Sequence, residues 1–327
     1  MPCYHPLIGK FTGEYTENGK KKFYIEGNLD PVLAKQLYPG SVVIPCGKCL
    51  GCRLDYSRSW ADRMMLELAA VGSAVFLTLT YSNENATICK FDDDGNPLCY
   101  TLVKKDFQDF MKRLRESKLC KGKKISFYAS GEYGDRTFRP HYHVILFGLS
   151  LSDIPDLQNF GRNELGQTHY ISDTIAGIWS NGFILVSDVS WNTCAYVARY
   201  VCKKALQTGL PIYYDISGQL PEFALMSRRP GLGKKFLEEN PDCMDYQNIN
   251  LGTKEGSLKI TIPKYFVKQL ELTDPDRADI IRSQRKEYAD DKMMLKLMNT
   301  NLSYLETLEV EENNKIKKMS ALKRRSI

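Results

Sequence analysis

"RPHYHVILFG", residues 139–148, is the stretch on which the fold turns. It holds two of the chain's four histidines, His141 and His143, and runs on into the apolar residues 144–147. In a strand, residues i and i+2 project from one face, so this spacing predicts two imidazoles side by side with Tyr142 on the opposite face. Just upstream, "KISFYASGEY" (124–133) reads as a second strand. So short a connection allows an antiparallel pair and excludes a parallel crossover. It also brings Glu132, at the end of the first strand, beside the two histidines.

Working outward, "RLDYSRSWADRMMLELAA" (53–70) spaces Leu54, Trp60, Met64 and Leu68 as on a helix, and "SAVFLTLTY" (73–81) reads as a buried strand. The charged turn "FDDDGNP" separates it from an amphipathic helix over 101–118, with Leu102, Phe107, Phe110, Met111 and Leu114 on its apolar side. "GFILVSDV" (182–189) is a further strand, followed by the helical "SWNTCAYVARYVCKKAL" (190–206). The order strand, helix, strand, strand, strand, helix predicts an α+β fold, a central antiparallel sheet with flanking helices. Residues 1–45 are rich in turns, with short strands expected at Lys22–Glu26 and Ser41–Ile44. The expected divisions are an N-terminal segment (1–72), a core (73–206), a loop-rich extension (207–273) and a helical C-terminal extension (274–327). The last begins at Asp274, an N-cap before Pro275, and ends in "KIKKMSALKRRSI".

The chain has 327 residues, 43% of them apolar and 26% charged, with a net charge of +6. That balance admits nucleic-acid binding without demanding it. The opening "MPCYHPLIGK" lacks the apolar core of a secretory signal, and "LAAVGSAVFLTLT" is too short to span a bilayer. The expectation is a cytoplasmic protein away from membranes. Ten cysteines in such a setting point to thiols or metal ligands rather than disulfides. Three of them, Cys46, Cys49 and Cys52 in "PCGKCLGCR", have the repeated Cys-x-x-Cys spacing of a structural zinc site, with Cys3 or His5 as fourth ligand. An iron–sulfur cluster fits the spacing too but ranks below zinc, and three reduced thiols at the head of a helix is the plainer alternative.

Two imidazoles and a carboxylate suit a divalent ion and leave positions open for a substrate oxygen. The pair taken alone is equally two satisfied polar residues. "YVARYVCKK" sets Tyr196, Tyr200 and Lys203 at i, i+4 and i+7, on one helix face. Half-buried tyrosines with wet hydroxyls are the ordinary reading of such a stripe. A tyrosine can also serve as a covalent nucleophile when a polarised phosphate or a cation helps the phenolate develop.

"FLTLTY" (76–81), "RPHYHVILFG" and "YVARYVCKK", in that order, resemble the three motifs of the HUH endonuclease superfamily that initiates rolling-circle replication. The doubled tyrosine, with "PCGKCLGCR", "GEYGDRTFRPHYH" and "SRRPGLG", is similar to the initiators of microviruses, in particular their gokushovirus branch. The resemblance covers roughly residues 40–235 and departs from the family at Tyr142, where a bulky apolar residue is usual. It implies a ferredoxin-like or RRM-like palm and Mg²⁺ or Mn²⁺ held by His141, His143 and Glu132. It further implies attack by Tyr196 or Tyr200 on single-stranded origin DNA, leaving a 5′-phosphotyrosine and a free 3′-hydroxyl. Lys203 would stabilise charge, and the second tyrosine would allow a second cut and rejoining.

"SRRPGLGKK" places Arg228, Arg229, Lys234 and Lys235 around a glycine turn, and with Lys204 these are the expected phosphate contacts; a solvated basic loop is the equal alternative. The residues lack a Walker motif, so a host or other helicase and a polymerase are expected partners. The tail from Lys315 to Arg325 would add salt-dependent affinity. Phe127, Tyr128, Tyr133 and Phe138 are available to stack on unpaired bases or to pack the core. Two rivals remain open on these residues: a metal-dependent hydrolase using water, and a non-catalytic zinc module that binds nucleic acid.

Overall fold

The computed structural model describes residues 3–323 apart from 18, 20, 28, 135–136, 164–165, 204–209 and 254–255. Two compact units divide the chain, Met1–Tyr56 with Val267–Ile327, and Ser57–Phe266.

The first unit opens with β1 (Leu7–Tyr15), β2 (Lys21–Gly27), α1 (Pro31–Leu37) and β3 (Val42–Ile44). One boundary falls inside α2 (Leu50–Val71) and the other between Phe266 and Val267, after which the chain belongs again to the first unit. The second unit continues with β4 (Ala74–Tyr81), β5 (Ile88–Phe91), β6 (Pro97–Tyr100) and α3 (Lys104–Glu116). Next come β7 (Ser126–Tyr133), β8 (Pro140–Phe147), β9 (Gln158–Arg162), β10 (Thr168–Ile171) and α4 (Asp173–Trp179). β11 (Gly182–Ser187), α5 (Trp191–Lys203), α6 (Leu210–Ser217), β12 (Phe223–Met226) and α7 (Lys234–Glu239) follow. β13 (Asn248–Thr253), β14 (Gly256–Thr261) and α8 (Lys264–Leu270) lead to α9 (Pro275–Leu297) and α10 (Tyr304–Lys323).

The fold is α+β. Its centre is a seven-stranded sheet in the order β12-β7-β8-β4-β11-β10-β9, and every neighbouring pair is antiparallel. The expected core order is present as β4, α3, β7, β8, β11, α5, with a β5–β6 hairpin and the segment β9–β10–α4 inserted into it. β8 is covered on both faces, which is why its sequence runs apolar instead of alternating. Against one face α3 buries Phe107, Phe110, Met111 and Leu114, together with Trp179 of α4. Each such side chain contributes roughly 1.5–3 kcal/mol through burial.

Tyr142 belongs to that face, as its position between the histidines predicts. It is fully buried; its hydroxyl donates to the Val103 carbonyl (2.7 Å), accepts from the Val103 N–H (3.0 Å) and meets the Tyr81 hydroxyl at 2.9 Å. A tyrosine can therefore replace an apolar residue here because its oxygen closes the start of α3. Gly148 ends the strand at φ 91, and a Cβ there would collide with the Lys124 carbonyl.

Two segments carry more structure than the sequence suggests. The stretch 207–273 is not merely loops: α6, β12, α7, β13, β14 and α8 lie in it, and β12 is an edge strand of the central sheet. The C-terminal extension is two helices. α9 starts as predicted, with the Asp274 carboxylate accepting from the Arg277 N–H (3.0 Å). It stops before a new start at Ser303, whose hydroxyl accepts from the Glu306 N–H while the Glu306 carboxylate accepts from the Ser303 N–H. No helix among the described residues is long and apolar enough to cross a membrane.

Candidate metal and tyrosine site

The strand register assembles the site. Glu132 of β7 stands directly opposite His141 of β8, which stands opposite Thr80 of β4, and Ser130, His143 and Thr78 form the adjacent row. Directly paired residues share a face, so the two histidines, Glu132 and Thr78 converge on the face away from Tyr142. The Nε2 atoms of both rings approach one oxygen of Glu132, Oε1, at 2.7 Å from His141 and 2.5 Å from His143. Glu132 is buried, with 1% of its surface exposed.

The other ring nitrogens fix the orientation. His141 Nδ1 lies 3.1 Å from the Arg139 carbonyl, which can only accept, so that nitrogen donates to it and Nε2 is the atom turned toward Glu132. His143 Nδ1 is 3.0 Å from the Thr78 hydroxyl, and its ring stacks on Phe76 at 5.5 Å. Each imidazole is held through its far nitrogen, the arrangement that metal-binding histidines use.

Three donor atoms lie within 4.8 Å of one another here, and the group could hold a metal ion. The fit is supported by Glu132 Oε2, which is buried and has no hydrogen-bond partner among the described residues. A buried carboxylate oxygen left bare costs about 1–3 kcal/mol, and more for a charged group, which a cation against the carboxylate would offset. Burial pushes the Glu132 carboxyl upward, but the hydrogen bonds and charges of His141 and His143 outweigh it and hold the group below its ordinary range. Burial lowers the His143 imidazole against the opposing pull of Glu132, favouring the neutral, ligating form.

α5 packs over β7, β8 and β12 on this face. It buries Cys194, Ala195, Val197 and Ala198 and leaves Tyr196 at its margin, 41% exposed. The Tyr196 hydroxyl is 3.5 Å from His143 Nε2, and the two rings meet edge to face at 5.1 Å. The structure thus brings Tyr196 together with the triad. Tyr200 and Lys203 belong to α5, but their side chains lie outside the described residues, as does Lys204 altogether.

The basic loop lies elsewhere. β12 pairs with β7 so that Met226 opposes Tyr128, which puts Arg228 and Arg229 about 20 Å along the strands from Glu132. Lys234 and Lys235 pair with Glu238 and Glu239 on their own helix, and Lys235 Nζ also donates to the Ala70 carbonyl at 2.8 Å. Of the aromatics named above, Tyr128 and Tyr133 are buried and Phe127 packs on Phe107, so these three are core and not a stacking surface. Phe138 is exposed.

In the other unit the four sulfurs of Cys3, Cys46, Cys49 and Cys52 also lie within 4.8 Å of one another and could hold a metal ion. Sγ separations are 3.9 Å for Cys3–Cys49 and 4.0 Å for Cys46–Cys52. The edge of a tetrahedron built on zinc–sulfur bonds of about 2.3 Å is about 3.8 Å. Backbone N–H groups of Tyr4, Cys46, Cys49 and Cys52 donate to the sulfurs of Cys49, Cys3 and Cys46 at 3.2–3.4 Å. Burial raises the Cys3 and Cys52 thiols, whereas at Cys49 burial is outweighed by the hydrogen bonds, which hold it down to about 7. His5, the other candidate fourth ligand, instead meets the Glu312 carboxylate at 2.6 Å.

Thr78 and Phe76 were not singled out from the sequence. Their signal was position: in β4 they fall on the face opposite the buried Leu77 and Leu79.

A family described as "Replication-associated protein ORF2/G2P" matches residues 74–205, the span from β4 through α5. The chain is 30% identical to "Replication-associated protein ORF2" of Spiroplasma virus 4 over 330 residues, covering 98% of each chain. It is 32% identical to "Replication-associated protein VP4" of Bdellovibrio phage phiMH2K over 285 residues, 85% of this chain and 79% of that one. A shorter match, 31% over 192 residues, joins it to "Replication-associated protein ORF4" of Chlamydia phage 1, covering 58% of this chain and 45% of the relative. No solved structure matches.

Proposed function

The chain belongs to the replication-associated protein ORF2/G2P family, and on that premise we propose that it nicks and rejoins single-stranded origin DNA to initiate rolling-circle replication of a small virus. The observation that carries this reading is the placement of a phenol 3.5 Å from a ligand atom of the His141–His143–Glu132 group.

A divalent ion, Mg²⁺ or Mn²⁺, held by His141, His143 and Glu132 would polarise the scissile phosphate and stabilise the charge that develops on it. The residues do the rest. The Arg139 carbonyl and the Thr78 hydroxyl keep the imidazoles turned inward. Phe76 and the body of α5 back the site on its dry side. The Tyr196 oxygen attacks phosphorus, the P–O3′ bond breaks, and the 5′ phosphate stays esterified to the phenol. The proton lost by the phenol is balanced by the one gained at the released 3′-hydroxyl, which primes synthesis. Tyr200, one helical turn on, would repeat the attack at the regenerated origin, and Lys203 would stabilise phenolate or phosphate. Structural Zn²⁺ on the four cysteines completes the reading, with strand separation left to a separate helicase.

The test is incubation with single-stranded DNA and Mn²⁺, followed by a denaturing gel. A protein-linked DNA product is expected for the wild type, less for Tyr196→Phe, and none for Tyr196→Phe/Tyr200→Phe. Hydrolysis products without any covalent adduct would favour a water nucleophile, and an adduct surviving the double substitution would end the assignment.

A further inference from the structure

The sheet face that carries the triad is only half covered. α5 packs over β7, β8 and β12, whereas beyond β4 the same face presents two large aromatic rings to solvent. Phe183 of β11 is 47% exposed and Phe160 of β9 is 56% exposed, and their rings lie 5.5 Å apart. Scattered exposed phenylalanines are ordinary on protein surfaces. Three observations set these two apart.

The first is register. Phe183 stands opposite Thr80, Thr80 opposite His141, and His141 opposite Glu132, so the ring belongs to the same row as the metal ligands. At one strand spacing per step it lies about 10 Å from His141. The second is a bulge. The β9–β10 register shifts where His169 opposes Gly161 and Tyr170 opposes Asn159, and the inserted residue is Phe160. Bulges re-aim side chains, and this one brings Phe160 onto Phe183. The third is charge: exposed Arg162 follows in β9, and exposed Arg199 stands one turn from Tyr196 on α5.

We propose that Phe160 and Phe183 form a stacking platform for an unpaired base of the single strand, next to the nucleotide whose phosphate lies at the triad. This rests on the reading above and adds to it a residue pair and a chemical preference, for strands whose bases are free to splay. The rings are carried on paired strands, so they are pre-positioned. Stacking accepts any base, which suits holding the strand rather than reading its sequence.

The test uses the full chain, without added Mg²⁺ or Mn²⁺ so that no cleavage occurs, and single-stranded oligonucleotides containing the fluorescent base 2-aminopurine. Fluorescence anisotropy gives affinity and quenching reports stacking. Phe160→Leu/Phe183→Leu keeps apolar bulk but removes the π faces, so folding is preserved. It should weaken binding by about 5- to 150-fold, the range for one stacked base, and abolish the quenching. Phe183→Trp should retain both, and blunt duplex DNA should bind the double variant as it binds the wild type. Unchanged affinity and quenching in the double Leu variant would overturn the proposal, as would an equal loss for single-stranded and duplex DNA. Covalent chemistry is scored separately, by adduct formation with Mn²⁺, so failure of the nicking reading and failure of the platform give different results.

Discussion

Thr78→Val isolates what a single hydroxyl does for the metal group. Thr78 pairs directly with His143 in a strand flanked on both sides, so valine, equal in shape and at home in a sheet, replaces it without moving the backbone. What disappears is the Oγ1–Nδ1 contact at 3.0 Å. Losing such an outer partner weakens metal binding by about 10- to 100-fold, or about 1.4–2.7 kcal/mol. The lower end is expected here, because the His143 ring keeps two other restraints: the stack on Phe76 at 5.5 Å and the edge contact with Tyr196 at 5.1 Å. Calorimetric titration with Mn²⁺ should therefore show affinity falling about tenfold. Thr80→Val is the matched control. Thr80 stands opposite His141, whose Nδ1 is instead held by the Arg139 carbonyl, so this change should leave affinity within about twofold of wild type. Equal affinities for Thr78→Val and wild type, with both proteins equally stable to heat, would refute the view that outer hydrogen bonds orient the imidazoles.

Tyr142→Phe should cost about 1–3 kcal/mol in urea unfolding, because it strips the Val103 N–H of its acceptor and the buried Tyr81 hydroxyl of a partner, while Mn²⁺ binding stays unchanged. Chelating the four-cysteine group should lower the thermal midpoint of the wild type; Cys49→Ala should start lower and no longer respond to chelator, and an indifferent wild type would count against a bound metal. Asp153 is held down to about 2 from 3.8 by the Lys123 ammonium and the Ser150 N–H. A depressed carboxyl stabilises the fold above its unfolded value, so about 1 kcal/mol should be lost as pH falls from about 4 to about 2. Asp153→Asn should flatten that part of a stability–pH curve.

The site was legible where periodicity and short connections act alone. A period of two fixes which side His141, Tyr142 and His143 take, and the brief link between β7 and β8 leaves Glu132 little choice but to stand opposite His141. The phenol of Tyr196 was legible as a member of a stripe, but its distance from His143 depends on how α5 lies on the sheet, which no local pattern encodes. β9 and β10 were missed because "QNFGR" and "THYI" are short, lie at the sheet margin and carry no alternation. Missing them hid the Phe160–Phe183 contact, whose partners are 23 residues apart in the chain. The break between α9 and α10 was visible in principle, since "NTNLSYLE" contains the Ser303–Glu306 cap. A continuous run of polar residues at helical spacing masked it.

The bulge in β9 also bears on the protein's behaviour at high concentration. A sheet margin with all five residues exposed is a template on which a stray strand from another molecule can continue the ladder. At Gly161 that template is interrupted: its N–H is turned back to the Asn159 side chain at 2.8 Å and is not available to a newcomer. A guanidinium, Arg162, follows immediately. Straightening this margin by deleting one residue would reopen the rail, and the cost would appear as fibres or precipitate in the tube before it appeared in any measurement of folding.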